Sequence, residues 1–116
     1  VKKKIGNIGE EIGRRLLIDK GYSILFQNYR TRFGEIDIIA GKNNVVVFVE
    51  VKTRKSTTYG MPREAINYKK QMNYRRLAEH FIQNQPLSRG KDFRFDVIEI
   101  IINSDKNEVI HIENAF

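Results

Sequence analysis

The stretch that decides the fold is Gly34-Glu35-Ile36-Asp37-Ile38-Ile39-Ala40, then Gly41-Lys42-Asn43-Asn44, then Val45-Val46-Val47-Phe48-Val49-Glu50-Val51-Lys52. Two apolar, β-branched runs flank a Gly/Asn-rich break, which is the pattern of a β-hairpin. Asparagine tolerates positive φ, so Asn43-Asn44 can close a two-residue turn. That turn sets the register. Lys42 pairs with Val45, which predicts Asp37 opposite Glu50 and Glu35 opposite Lys52. Side chains alternate along a strand, so these four share one face. Ile36, Ile38 and Ala40 oppose Val45, Val47, Val49 and Val51 on the other face, which is expected to be core.

Two carboxylates directly opposite on adjacent strands repel, and each loses solvation if the sheet is covered. A hard divalent cation held between them offsets both costs. Lys52 stands two residues after Glu50 and points the same way, beside such a cation. The competing account is a solvated polar face with a Glu35–Lys52 cross-strand ion pair.

Working outward, the totals set bounds. The chain of 116 residues has 41% hydrophobic content and no long polar tract, which suits one globular domain over residues 1–116. No apolar run approaches the roughly 20 residues of a membrane span. The start, Val1-Lys2-Lys3-Lys4, leads into a glycine-broken amphipathic segment rather than a signal-peptide core. The absence of cysteine excludes disulfides, thiolate zinc sites and a cysteine nucleophile, and fits a cytoplasmic location. A net charge of +7 favours polyanionic partners, nucleic acid foremost.

Residues 4–20 read as a helix stopped by Gly21, with Ile5, Ile8, Ile12 and Leu16 as its buried stripe. Glu10 lies off that stripe between Gly6 and Gly13. Helical glycines cost about 1 kcal/mol each against alanine, so close approach of the helix to a sheet would explain them. Glu10 then points along the seam, or else it is a solvated partner of Arg14. Tyr22–Gln27 reads as a strand. The connection that follows, residues 28–34, interleaves Arg30 and Arg32 with Tyr29 and Phe33, as a nucleic-acid surface does, although aromatics at strand ends also serve cores. Residues 53–62, polar, basic and turn-prone, read as a loop leaving the acidic end of the hairpin. Arg54, Lys55 and Tyr59 could grip a nucleic-acid backbone from it.

A second helix is expected from Arg63 or Glu64 to Asn84, with Ile66, Tyr74, Leu77, Ala78, Phe81 and Ile82 on its apolar face. Lys70 and Gln71 fall in that same sector. Either they meet the acidic end of the hairpin or the Lys70 stem snorkels. Phe93–Ile102 reads as a central strand and Val109–Ile112 as an edge strand carrying His111. Asp96 is assigned a structural role with Arg94 or Arg63 as its partner. The element order is α-β-β-β-α-β-β, a mixed central sheet flanked by helices in an α/β domain.

That order resembles the PD-(D/E)xK nuclease superfamily, the restriction-endonuclease-like fold. More closely, the chain resembles the YraN family, bacterial proteins similar to archaeal Holliday junction resolvases. The matching segments are Gly9-Glu10, Gly21-Tyr22, Asn28-Tyr29-Arg30, Gly34-Glu35-Ile36-Asp37, Phe48-Val49-Glu50-Val51-Lys52-Thr53-Arg54, Lys70-Gln71, Arg94-Phe95-Asp96-Val97 and Asn114-Ala115-Phe116. Ile36 stands where the superfamily label has proline. The resemblance implies that Asp37 and Glu50 ligate a metal, Mg²⁺ with Mn²⁺ as substitute, with the Val51 carbonyl a third ligand. It implies that Lys52 positions or activates water and stabilises the phosphate. Glu10 would join the site from the first helix. Gln71 completes the candidate catalytic set, and Lys70 the nucleic-acid-binding one. Beside two carboxylates Lys52 should stay protonated, which favours an electrostatic role.

The leading expectation is a Mg²⁺-dependent DNA endonuclease, with branched or junction DNA as its candidate substrate. A junction cutter needs two sites, which by analogy points to a homodimer. The alternatives are a nucleic-acid-binding module of nuclease fold that does not cleave alone, and a structural protein whose acidic face is merely solvated.

Overall fold

Apolar residues on both sides of the central hairpin require a sheet covered on two faces, and each face has its helix. The computed structural model of the chain describes residues 2–55, 66–103 and 105–116, with side chains from residue 7 onward. The elements are α1 (Lys2–Asp19), β1 (Ser23–Thr31), β2 (Gly34–Lys42), β3 (Val45–Arg54), α2 (Tyr68–Asn84), β4 (Asp92–Ile102) and β5 (Asn107–Ile112), with a 3-10 turn at Pro86–Ser88. The strands form one mixed sheet in the order β1-β2-β3-β4-β5. All neighbours are antiparallel except β3 and β4, which run parallel because α2 carries the chain back between them. The expected α-β-β-β-α-β-β order is therefore the observed one.

The hairpin register is as the turn predicts. Lys42 pairs with Val45 and Ile38 with Val49, and Asn43 takes φ 54° at the turn. Ile38, Ala40, Val47, Val49, Ile98 and Ile100 then form one core layer with Leu17 of α1. Ile39, Val46, Phe48 and Phe95 face the opposite way and pack against Tyr74, Leu77, Ala78 and Phe81 of α2. Ile36, expected with Ile38 and Ala40, joins this second cluster instead. It lies beyond the last β2–β3 pair and is paired only with Tyr29 of β1, which packs against the same cluster.

Several boundaries differ from expectation for local reasons. β1 runs on to Thr31 and returns through a tight turn at Arg32-Phe33, so residues 28–31 are strand rather than loop. β3 likewise extends through Thr53 and Arg54 along its parallel partner β4. α2 begins at Tyr68, not at residue 63 or 64, because the Asn67 side chain accepts the Lys70 N–H at 2.8 Å and caps the helix there. Residues 56–65, including Tyr59 and Arg63, lie outside the described residues.

α1 ends as predicted. Gly21 adopts φ 94° and the Tyr22 N–H reaches back to the Leu17 carbonyl at 2.9 Å. Its buried line, however, passes through Gly9, Gly13 and Leu17, while Ile8 is 46% exposed. A Cβ at Gly9 would stand 1.9 Å from the Thr53 hydroxyl oxygen, and one at Gly13 would stand 3.3 Å from a Val51 methyl. The helix backbone lies almost on β3, and only glycine permits that. The expected close approach is real at Gly13, and Gly9 shares it without having been singled out; Gly6 lies before the residues whose surroundings are described.

Candidate functional site

The β2–β3 ladder stops at Ile38–Val49, one pair short of the acids. Past that point the Asp37 carboxylate replaces the missing backbone partner and accepts the Val51 N–H at 2.8 Å. In a strand the carbonyl of a residue leaves on the same side as its N–H, so the Val51 carbonyl also points toward β2 beside Asp37. Glu50, 3% exposed, lies on the α2 side of the sheet. One of its oxygens accepts the Tyr74 hydroxyl at 2.6 Å, and the other forms an ion pair with Lys70. The polar Lys70 on the buried side of α2 thus meets the acidic end of the hairpin.

Charge around Asp37 is unbalanced. Burial, then the negative charge of Glu50, a hydrogen bond shared with Glu50 and the charge of Glu10 push its carboxyl up to about 8, against the single opposing Val51 N–H. Glu10 is raised as well, by burial and by the charges of Glu35 and Glu50. It does not pair with Arg14, which binds Glu11 through two contacts of 3.0 Å. Turned with its nitrogen toward the acids, the Asn28 amide bridges Glu10 and Glu35 at 3.1 and 3.2 Å. Asn28 holds φ 55° to do so. Four carboxylates, from α1, β2 and β3, therefore converge at one sheet end.

Glu35 was expected opposite Lys52, but it pairs with Arg30 across the β1–β2 turn, Arg30 Nε donating to it at 2.8 Å. The reason is the tight turn at residues 32–33, which brings β1 into register with Glu35. Lys52 lies two residues beyond Glu50 on the same face, in register with Glu99 of β4.

A profile of the family described as "Uncharacterised protein family UPF0102" matches residues 9–100, which hold every residue named in the cluster above. The chain belongs to the UPF0102 family. A UPF0102 protein of Alkaliphilus oremlandii is 50% identical over 117 residues, covering 100% of both chains. One from Alkaliphilus metalliredigens is 49% identical over 116 residues, again across 100% of both. One from Caldicellulosiruptor saccharolyticus is 48% identical and covers 99% of this chain and 98% of its own.

In this UPF0102 chain the remaining predicted residues take varied positions. Gln71 donates its amide to the Ile66 carbonyl at 3.1 Å and so braces the start of α2. Arg54 forms an ion pair with Glu99, which is 1% exposed. Arg32 is exposed, its guanidinium carbon 5.0 Å from the Phe33 ring centroid, and Lys55 is exposed too. Tyr59 lies outside the described residues.

Two participants went unrecognised in the sequence. Tyr74 reads as one more aromatic of an apolar helix face, yet its hydroxyl is the donor to Glu50. Burial and the charges of Glu50 and Asp37 hold its proton on, well above the usual tyrosine range. Glu99 sits inside the apolar run of β4 on the face that carries Phe95 and Val97. A lone acid in such a run, beside a Glu-x-Lys strand, was the available signal. His111 lies on the edge strand β5, as expected, but turns inward. Its side chain is 3% exposed and its Nε2 lies 2.7 Å from Asp96.

No described helix is long and apolar enough to cross a membrane.

Proposed function

We propose that this UPF0102 protein is a divalent-metal-dependent endonuclease that hydrolyses phosphodiester bonds in DNA, with branched or junction DNA as its candidate substrate. The observation that carries this reading is the pairing of the half-buried Asp37 with the buried Glu50 at the sheet end, with Lys52 two residues further along the same strand. A carboxylate pair with too few donors is a functional signature rather than a packing solution.

The donors on offer are all oxygen: Asp37, Glu50 and the Val51 carbonyl. That set suits Mg²⁺ or Mn²⁺ and not a thiolate or imidazole metal. Among the described residues no group of three His, Cys, Asp or Glu side chains is arranged to hold one ion. The two carboxylates would accordingly share it with water and substrate oxygens, as is usual for magnesium. When bound, such an ion supplies a nucleophilic water at neutral pH and neutralises charge on the phosphoryl oxygens. The chain's own part is electrostatic. Lys52 holds a positive charge against the phosphate, and Lys70 can exchange its bond to Glu50 for one to a phosphate oxygen. Gln71 acts as a positioning residue, since it fixes the turn of α2 from which Lys70 and Tyr74 reach Glu50. On this reading the protein works in the cytoplasm, and a junction substrate would call for two active sites and hence a homodimer.

A second reading rests on one contact set. Tyr74 and Lys70 already occupy both Glu50 oxygens, which favours a nucleic-acid-binding protein that cleaves only with a partner, or not alone. A cleavage assay at low salt separates the two. Labelled four-way junction, flap, single-stranded and linear duplex DNA would be given with Mg²⁺ or Mn²⁺ to wild type, Asp37→Ala and Lys52→Ala. The nuclease reading expects cleavage by wild type, lost in both variants with binding kept. Binding without cleavage supports the second reading, and neither binding nor cleavage overturns both.

A further inference from the structure

A cleft of about 260 Å³ opens beside the acid cluster, between the β1–β2 turn and the first turns of α2. Phe33 forms one wall and Asn73 another, with Lys69 also on the lining. Lys70 and Tyr74 line it too, and these are the two side chains that hold Glu50. An occupant of the cleft is thus one side chain away from the Glu50 carboxylate.

The lining specifies a ligand class. Phe33 lines the cleft, and the guanidiniums of Arg32 and Arg76, outside the lining, stand over its ring with their carbons 5.0 and 5.7 Å from the centroid, so an incoming base extends that stack or displaces one of them. Rings and guanidinium planes are the surfaces on which single-stranded bases stack. Asn73 presents an amide, a paired donor and acceptor of the kind that reads a base edge. None of the contacts that tie the acid cluster together uses that amide. A bare anion fits poorly, because Glu35 also lines the cleft. The volume falls just under the span of about 300–1,000 Å³ usual for small-molecule sites, which suits one planar ring system.

We infer that this cleft receives a single unpaired nucleobase of the bound strand, stacked at Phe33 and read by the Asn73 amide, next to the phosphate held at the acid cluster. The position of that phosphate rests on the nuclease reading, but capture of the base does not. Drawing a base out of an intact duplex breaks its pairing and stacking, so substrates with an unpaired nucleotide at this point, such as flaps and gaps, bind in preference to continuous duplex.

The test compares two fluorescein-labelled probes of equal length and charge. One is a single-stranded oligodeoxynucleotide and the other is its fully abasic phosphodiester analogue. Anisotropy titrations are run in chelator, so no cleavage is needed. Wild type should bind the base-bearing strand about tenfold more tightly. Asn73→Ala and Phe33→Leu should each lose most of that difference while affinity for the abasic strand stays constant. Phe33 also packs against the core, so Asn73→Ala serves as the decisive variant if Phe33→Leu folds poorly. Equal affinity of wild type for both probes, binding of neither, or a difference that survives Asn73→Ala overturns the inference. Base-dependent binding without any cleavage in Mg²⁺ would support the inference while sinking the nuclease reading. Cleavage with no base dependence would do the reverse.

Discussion

Asp37 and Asp96 are both aspartates on interior strands of one sheet, and their surroundings are opposite. Asp96, 0% exposed, takes Arg94 through Nε at 2.8 Å and Nη2 at 2.9 Å, His111 Nε2 at 2.7 Å and the Asn114 N–H at 3.0 Å. The Lys20 ammonium lies 2.7 Å from His111 Nδ1, which assigns the ring proton to Nε2 and directs it at Asp96. Burial pushes the Asp96 carboxyl up, but the bonds from His111, Arg94 and Asn114 outweigh it and hold it below the usual range. Asp37 has one N–H donor and two acids, Glu50 and Glu10, for neighbours, and it rises. A buried acid surrounded by donors is a structural joint that ties β4, β5 and the chain after them together. A half-buried acid surrounded by acids is incomplete until a cation or a proton arrives.

The largest effect should come from breaking the completed site. Asp96→Ala removes the shared acceptor of Arg94, His111 and the Asn114 N–H, leaving Arg94, among the described residues, only the Tyr22 hydroxyl and a 3.9 Å contact with Glu113, and should cost about 3–5 kcal/mol in denaturant unfolding. Asp37→Ala, which relieves repulsion, should cost far less. Equal losses would dissolve the distinction. Next in size is a loss of activity without a loss of fold. Lys52→Ala should lower cleavage about 100- to 1,000-fold and leave thermal melting within a few degrees of wild type. Metal tests the incomplete site directly. With Mg²⁺ at a hundredfold over its Kd, wild type should gain about 2.7 kcal/mol of stability in thermal melts, and Asp37→Asn should gain none.

The pH dependence of metal-free melts has opposite signs at the two sites. The folded Asp37 carboxyl, at about 8, lies above its ordinary 3.8, so protonation stabilises the fold below pH 4 and this is lost as pH rises through 8. Asp37→Asn should therefore gain steadily on wild type from pH 5 to about 9. The folded Asp96 carboxyl lies below 3.8, so its contribution is present above that value and is lost as pH falls through the folded pKa. The deficit of Asp96→Asn should accordingly be widest near neutrality and narrow in acid. Parallel slopes for the two variants would contradict the contrast between the sites.

Much of the fold and part of the site were legible in the residues. The Asn43-Asn44 turn, the β2–β3 register and the structural role of Asp96 with Arg94 all follow from local pattern. Of the polar pair on the apolar face of α2, Lys70 meets the acidic end of the hairpin as expected, through Glu50, whereas Gln71 turns to the Ile66 carbonyl instead. Less was readable where a residue type has two ordinary uses. Tyr74 could be ring or hydroxyl, and His111 could be edge or interior. Arg30 and Arg54 could face a phosphate or a carboxylate, and in the fold they pair with Glu35 and Glu99.

What the sequence determined by itself is whatever depends on neighbours along the chain: the alternation of period two, the turn that sets the hairpin register, and the glycine that stops α1. Those constraints act over a few residues and need no knowledge of the fold. Tertiary structure decided which buried polar group meets which. It joined Tyr74 to Glu50, His111 to Asp96 and Glu99 to Arg54, and it pressed Gly9 and Gly13 of α1 onto β3. The physical reason is that a buried polar side chain needs a partner, but its identity alone does not say which one. Only the packing of α1 and α2 on opposite faces of the sheet brings those groups within reach.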